Sequence, residues 1–370
     1  MAELYIGLMS GTSLDGIDAV LVDFSADKPQ LLVAHNTPLP ADLRKNLLAL
    51  NRPAAGEIAR MAQADVELGR LLAQTVKQLL ALHNIDNTQV RAIGSHGQTI
   101  RHNPDADVPY TVQIGDPNTV AELTGITTVA DFRRRDLVAA GQGAPLMPAF
   151  HAAYLRVNDA SRVIVNIGGM ANITLLPSHP NKAVTGFDTG PGNVLMDGWY
   201  QRHQKGRYDK GGKWAASGKT DPAFLQRMQG DKFFKLAPPK STGRDHFDMR
   251  WLDRLIKRHG KRLQRKHVQA SLCELSAWSI ATAINEYAAD AHDVIVCGGG
   301  VHNTALMFRL QALLNGRQVL SSEDFAIDPD YMEAIGFAWL AKQTMDGKPG
   351  NLPSVTGARH PVVLGGIYSA

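Results

Sequence analysis

Apolar runs broken by glycine-bearing polar turns dominate the first part of the chain. Leu4 to Met9 has a buried-strand pattern, Ser10 to Gly16 is turn-rich with Asp15-Gly16 as a hairpin-type dipeptide, and Ile17 to Phe24 returns as a second strand. Over Ala54 to His83 the period changes: Ile58, Met61, Leu68, Leu71, Leu72, Val76, Leu79 and Leu80 recur at three- and four-residue spacing, which predicts a long amphipathic helix. Val90 to Gly94 reads as a strand ending in the loop Ser95 to Thr99. Val112 to Gly115 reads as a strand before a helix start at Asp116-Pro117-Asn118, and Ile126 to Ala130 as a strand ending at Asp131-Phe132-Arg133. Strand, polar loop and helix in repetition predict an α/β fold with ligands at the carboxyl ends of the strands.

Gly141 to Pro145 reads as a boundary or hinge, followed by a helix over Pro148 to Leu155. Arg162 to Asn166 then forms a strand entering Gly168-Gly169, and Ile173 to Leu176 leaves as its partner. A strand, glycine turn, strand unit therefore occurs at 4–24 and again at 162–176, which suggests two related halves. Ala183 to Phe187 reads as a strand, with Asp188 at its end and a helix from Asn193 through Trp199. Residues 204–248 read as a polar insertion with short helices. Val268 to Ala289 predicts a helix, Val294 to Cys297 a buried strand entering Gly298-Gly299-Gly300, and Asn303 to Leu314 and Met332 to Thr344 two more helices. The tail from Asn351 reads as extended.

Composition narrows the class. The 370 residues are 44% hydrophobic and 20% charged, ordinary for a globular chain long enough for two domains. A formal net charge of +4 lacks the asymmetry of a dedicated nucleic-acid binder, and the basic run from Lys257 to His267 carries few aromatics, so it reads as a solvated helix end. Cys273 and Cys297 form neither a disulfide framework nor a zinc pattern. The N-terminus lacks signal-peptide features and no apolar run reaches the roughly 18 residues of a membrane span, so a cytoplasmic location is expected, with no nucleic-acid or membrane partner. The helix-rich stretch 268–345 is a candidate homodimer face.

Three glycine turns follow strong strands: at Gly11, at Gly168-Gly169 and at Gly298 to Gly300. Glycine lets backbone N–H groups approach phosphate oxygens closely. Each turn alone reads first as a tight connection between strand and helix, but three in an α/β chain point to a nucleotide. None fits GxxxxGK[ST] or GxGxxG, which leaves Walker NTPases and Rossmann dehydrogenases unsupported. Asp188 reads either as a helix cap or as a general base at a strand end. His96, Gln98, Asp116, Asp131 and Arg133 lie in strand-end loops, where they suit either turn hydrogen bonds or a hydroxyl-rich, carboxylated ligand.

As an ordered set, Ile6 to Asp18, Ser95 to Thr99, Gln113 to Asp116, Ala130 to Arg133, Gly141 to Pro145, Asn166 to Asn172, Phe187 to Asn193 and Cys297 to Gly300 resemble the anhydro-N-acetylmuramic acid kinase family of the actin, Hsp70 and hexokinase superfamily. The resemblance implies two related actin-like (ribonuclease H-like) domains around a central cleft, residues 1–145 and 146–370, with the tail returning to the first. It implies ATP as co-substrate, held by Gly11, Thr12, Ser13, Leu14, Asp15, Gly16, Ile17 and Asp18 of a first phosphate hairpin. Gly168, Gly169, Asn172 and Gly190 would serve a second, and Gly298, Gly299, Gly300 and Asn303 the adenosine segment. Asp188 matches the base. His96, Gln98, Thr99, Asp131 and Arg133 would hold the sugar, with Arg133 on its lactyl carboxylate. Magnesium is implied without an assigned residue, because Ser10 stands where many superfamily relatives carry Asp. The implied reaction adds water across the 1,6-anhydro bridge and phosphorylates O6. The alternatives are a kinase for another amino sugar and an actin- or Hsp70-type nucleotide switch.

Overall fold

The computed structural model describes residues 2–11, 14, 16–260 and 263–370, so Thr12, Ser13 and Asp15 of the first turn, and Lys261 and Arg262 of the basic run, lie outside the described residues. Along the chain run β1 (Leu4–Ser10), β2 (Gly16–Asp23), β3 (Gln30–Pro38), α1 (Ala41–Leu50), α2 (Glu57–Leu82), β4 (Val90–Ser95), β5 (Gln98–Asn103), β6 (Tyr110–Ile114), α3 (Pro117–Thr124), β7 (Thr128–Ala130), α4 (Arg134–Val138) and α5 (Met147–Leu155). Next come β8 (Ser161–Ile167), β9 (Met170–Leu176), β10 (Thr185–Pro191), α6 (Val194–His203), α7 (Lys213–Ala216), α8 (Pro222–Gln229), α9 (Met249–His259), α10 (Arg265–Tyr287), β11 (Ala291–Cys297), α11 (Thr304–Leu313) and β12 (Gln318–Ser321). The chain ends with α12 (Met332–Met345), α13 (Pro353–Thr356) and β13 (Gly366–Tyr368). Two compact units result, Met1–Tyr154 with Ala326–Ala370, and Leu155–Phe325. No helix among the described residues is long and apolar enough to cross a membrane.

In the first unit the sheet order is β13-β7-β4-β1-β2-β3. β1, β2 and β3 form an antiparallel meander, β4 runs parallel to β1 and β7 parallel to β4, and β13 closes the edge antiparallel to β7. Side chains alternate across β1. Ile6 and Leu8 enter one core with Leu68, Leu72, Val76 and Leu79 of α2. On the opposite face Gly7 of β1 and Gly94 of β4 admit α12: a Cβ on Gly7 would overlap the Ala334 carbonyl, and one on Gly94 the Phe337 carbonyl. The second unit repeats the plan, with order β10-β9-β8-β11-β12. β8, β9 and β10 form the meander, and β11 and β12 follow in parallel. Its core joins Val163, Val165 and Phe187 to the nearly enclosed α10.

Three features differ from the sequence reading. The expected boundary after residue 145 placed the last helix in the second half, whereas α12 clusters with the first unit, because the Gly7 and Gly94 surfaces seat it. Gln98 and Thr99, expected in a loop, belong to β5, which pairs with β6 in a separate ribbon. Only Gln98 and Ile100 of that strand are fully buried, so its polar composition carries no strand signal. β3 was not anticipated either, since its half-exposed residues lack a continuous apolar run.

Candidate active site

Parallel strands of one sheet share a carboxyl edge, and the polar strand ends gather there. In the second unit this edge holds Asp188. The residue lies inside β10 opposite Asn172, not at a strand end, and the N-cap of α6 is Asn193, so Asp188 does not cap that helix. The register shifts between Asp188 and Gly190, and such a bulge re-aims a strand side chain. The Asp188 Oδ2 accepts hydrogen bonds from Ser241 Oγ and from the Thr242 N–H, each 2.9 Å, while its own N–H donates to the Lys240 carbonyl at 3.1 Å. Burial pushes the Asp188 carboxyl above its ordinary range, and the two donors pull it back only in part. A carboxylate made more basic while its geometry is fixed suits a general base.

The loop that grips Asp188 continues to Arg244, whose guanidinium lies against the Gly168-Gly169 turn: a Cβ at Gly169 would stand 3.4 Å from Arg244 Nη2. That turn is braced from behind, because Asn193 N–H donates to the Gly168 carbonyl and the Gly192 and Val194 N–H groups to the Gly169 carbonyl. A Cβ at Gly168 would meet only the Met170 carbonyl, at 3.7 Å, and one at Gly299 nothing within 4 Å. No side chain crowds the backbone at Gly168, Gly169 and Gly299, and the Gly168 N–H itself donates to the Met170 carbonyl at 3.1 Å. Gly190, Gly298 and Gly300 have another cause: they press against Phe234, Asn166 and Ile167 respectively, where a side chain has no room. Asn172 pairs across to Asp188 and Asn166. Asn303 caps α11, its Oδ1 accepting from Leu306 N–H at 3.1 Å.

In the first unit the corresponding edge gathers Ser10, His96, Gln98 and Arg133. Ser10 Oγ donates to Gln98 Oε1 at 2.7 Å. His96 Nε2 accepts from Arg133 Nε at 3.2 Å and faces Arg133 Nη2 at 2.9 Å, and Arg133 Nη1 donates to the Gly143 carbonyl at 2.9 Å. Burial and the adjacent guanidinium hold the His96 imidazole down to about 3, so it is neutral at physiological pH and free to accept. Burial lowers Arg133 to about 10, against the opposing pull of Glu333 and Asp136. Glu333, on α12, is raised by burial and by Asp18, with Arg133 acting the other way. Asp131 adopts φ 61°, is raised by burial and pairs with Arg134 at 3.4 Å. Thr99 Oγ1 accepts from Gln113 Nε2 at 3.0 Å.

The described part of the first hairpin is largely structural. Leu14 and Ile17 are core residues, Gly16 packs on the Thr37 carbonyl and Asp18 Oδ1 accepts from Asn36 Nδ2 at 2.7 Å. Leu14 N–H donates to the Gly11 carbonyl at 3.1 Å, and Gly16 and Ile17 pair with Pro38 and Thr37 of β3. Magnesium held chiefly by nucleotide phosphates needs one or two protein carboxylates. Two carboxylates, Asp18 and Glu333, lie near enough beside this hairpin for the Asp18 charge to add to the rise that burial imposes on Glu333. Sequence reading missed Glu333, Arg244 and the Ser241-Thr242 grip. Glu333 sits in an apolar helical pattern, and the other three lie in a stretch whose polarity signalled only an insertion.

A family model described as anhydro-N-acetylmuramic acid kinase matches residues 3–370. The anhydro-N-acetylmuramic acid kinase of Coxiella burnetii (strain Dugway 5J108-111) is 48% identical over 366 residues, covering 99% of this chain and 97% of the relative. That of Shewanella loihica (strain ATCC BAA-1088 / PV-4) is 50% identical over 364 residues, covering 98% of each. Among solved structures, component A of the Acidaminococcus fermentans (R)-2-hydroxyglutaryl-CoA dehydratase superposes with a TM-score of 0.48 at 9% identity, covering 91% of this chain and 96% of that one. With a family match and near-half identity along almost its whole length, the chain belongs to the anhydro-N-acetylmuramic acid kinase family.

Proposed function

We propose that this protein opens the 1,6-anhydro bridge of anhydro-N-acetylmuramic acid with water and transfers the γ-phosphoryl group of ATP to O6. The products are N-acetylmuramic acid 6-phosphate and ADP. Asp188 takes a proton from water, the water oxygen bonds to the anomeric carbon, and the bond from that carbon to O6 breaks. O6 bonds to the γ-phosphorus as the bond to the ADP oxygen breaks, and the proton on Asp188 passes to solvent. ATP traps the leaving oxygen, so a second carboxylic acid to protonate it is not needed.

The observation that carries this reading is the double duty of the loop 240–244. Ser241 and Thr242 fix the Asp188 carboxylate, and Arg244 stands at the open Gly168-Gly169 turn. One segment thus links the base to a place where phosphate oxygens meet backbone N–H groups and a guanidinium. In the other unit, neutral His96 accepts from Arg133 through Nε2, which holds the guanidinium where it meets the lactyl carboxylate. Asp18 and Glu333 would hold magnesium, which when bound draws charge off the transferred phosphoryl group.

Asp188→Asn keeps the shape of the site and removes the base. Turnover is expected to fall by about 100- to 10,000-fold while calorimetric affinities for ATP and sugar change little. Near-normal turnover in that variant would assign the base elsewhere.

A further inference from the structure

Ser95 is 1% exposed, ends β4, and its Oγ has no hydrogen-bond partner among the described residues. Gln113 on β6 donates through Nε2 to Thr99 Oγ1 at 3.0 Å and to Thr111 Oγ1 at 2.8 Å, which fixes its amide, yet its buried Oε1 has no partner among the described residues. A buried donor and a buried acceptor left unmade are each costly, and native proteins rarely keep them without a ligand or solvent to satisfy them. Both residues line one cavity of about 170 Å³ inside the first unit, together with Asp65, Asp131 and Tyr368. A water takes about 30 Å³ in the liquid, so the cavity has room for a group of several heavy atoms. His96, the imidazole that accepts from Arg133, also lines it, so the cavity adjoins the residues assigned to the sugar.

The lining selects the chemistry. Two carboxylates, Asp65 and Asp131, oppose an anion, and the one lining cation among the described residues, Arg134, is already paired with Asp131. Asp65 is itself anchored through Oδ1 to the Gly115 N–H. A hydroxyl donor, an amide oxygen acceptor and an aromatic wall match a secondary amide: its carbonyl accepts, its N–H donates, and its methyl packs on the ring. We infer that the pocket lined by Ser95, Gln113 and Tyr368 seats the N-acetyl substituent of the sugar and so sets which amino sugar is accepted. This rests on the sugar-kinase reading above. The carbonyl of the acetamido group takes the Ser95 hydroxyl, and its N–H meets Gln113 Oε1. The C-terminal strand β13 supplies the wall, which gives the last residues of the chain a part in specificity.

The test is equilibrium binding, by calorimetry on the full chain without nucleotide, of the anhydro sugar and of its counterpart carrying a hydroxyl in place of the acetamido group. Turnover of both is followed in parallel. Wild type is expected to bind the acetamido sugar at least about tenfold more tightly, from two hydrogen bonds and the methyl contact. Ser95→Ala with Gln113→Met should bring the ratio to within about threefold, chiefly by weakening the acetamido sugar. Should that buried double variant fail to fold, Tyr368→Ala at the chain end removes the wall and is expected to cut the ratio at least about threefold. An unchanged ratio, or equal weakening of both sugars, overturns the inference and leaves the kinase reading standing if wild type turns over. No binding or turnover of either sugar by wild type overturns both.

Discussion

The surroundings of Asp188 suit the role of base proposed for it. The pull of burial raises its pKa, and the Ser241 hydroxyl and Thr242 N–H partly offset that pull. A base works only when deprotonated, so kcat/KM falls as pH drops through this raised value. Ser241→Ala removes a donor to the charged form and must move the acid limb of the pH–rate profile upward. A limb that stays in place, or moves down, would mean that another group titrates. Arg133 allows a second residue-level test. A guanidinium has five N–H donors, and His96 and Gly143 engage only Nε, Nη1 and Nη2 once each, which leaves two for a ligand. Arg133→Ala is therefore expected to cost the lactyl-bearing sugar about 10- to 100-fold in kcat/KM and to affect its counterpart lacking the lactyl group far less. Equal losses on the two would remove the carboxylate role. The chain pattern alone pointed to Asp188, His96 and Arg133 because each follows an apolar strand. It was silent on Glu333 and Arg244, which reach the site by tertiary packing from segments whose local pattern says helix or insertion.

Among the elements, α12 is the one that periodicity placed correctly along the chain and the domain reading placed in the wrong half. Ten of its residues are buried, from Met332 through Thr344, so it reads as a core helix without saying which core. The answer lies in Gly7 and Gly94, single glycines inside strong strands, where a glycine marks close approach of another backbone. The meander β1 to β3 and the parallel addition of β4 and β7 are only half visible in the same way: β1 is a nearly continuous apolar run and β4 one interrupted by the exposed Arg91, while β3 and β5 carry too little hydrophobic pattern to announce themselves. The glycine seats make a sharp prediction. Gly94→Ala puts a methyl into the Phe337 carbonyl, and backbone cannot swing aside as a side chain can, so stability should fall by about 1–3 kcal/mol. Urea unfolding measures this, and the midpoint should drop without a change in slope. Gly299→Ala, where a Cβ meets nothing within 4 Å, is the control and should leave the midpoint near that of the wild type.

At the scale of the whole molecule, one chain carries the same sheet plan twice, a meander and two parallel strands, and gives the two copies different chemistry. In the first copy the strand ends hold an imidazole, a guanidinium and amide groups, suited to a hydroxyl-rich and carboxylated ligand. In the second they hold an exposed glycine backbone and one basic carboxylate. A kinase that only moves a phosphoryl group to an existing hydroxyl would use its base on that hydroxyl. Here the acceptor oxygen is released by cleavage of the bridge and brings no proton to remove, so the base is left for water. The fate of the water oxygen therefore separates the two. Run in ¹⁸O-labelled water with ATP and the anhydro sugar, the reaction should place one ¹⁸O on the anomeric carbon and none in the phosphate ester, and the product should exceed the substrate in mass by one water and one phosphoryl group. Before the anomers equilibrate, Asp188→Asn should slow incorporation and ADP release in equal proportion, because one proton transfer gates both bonds. Label in the phosphate would mean that ATP is hydrolysed before transfer, and a product lacking the added water would reduce the reaction to simple phosphotransfer with Asp188 in another role.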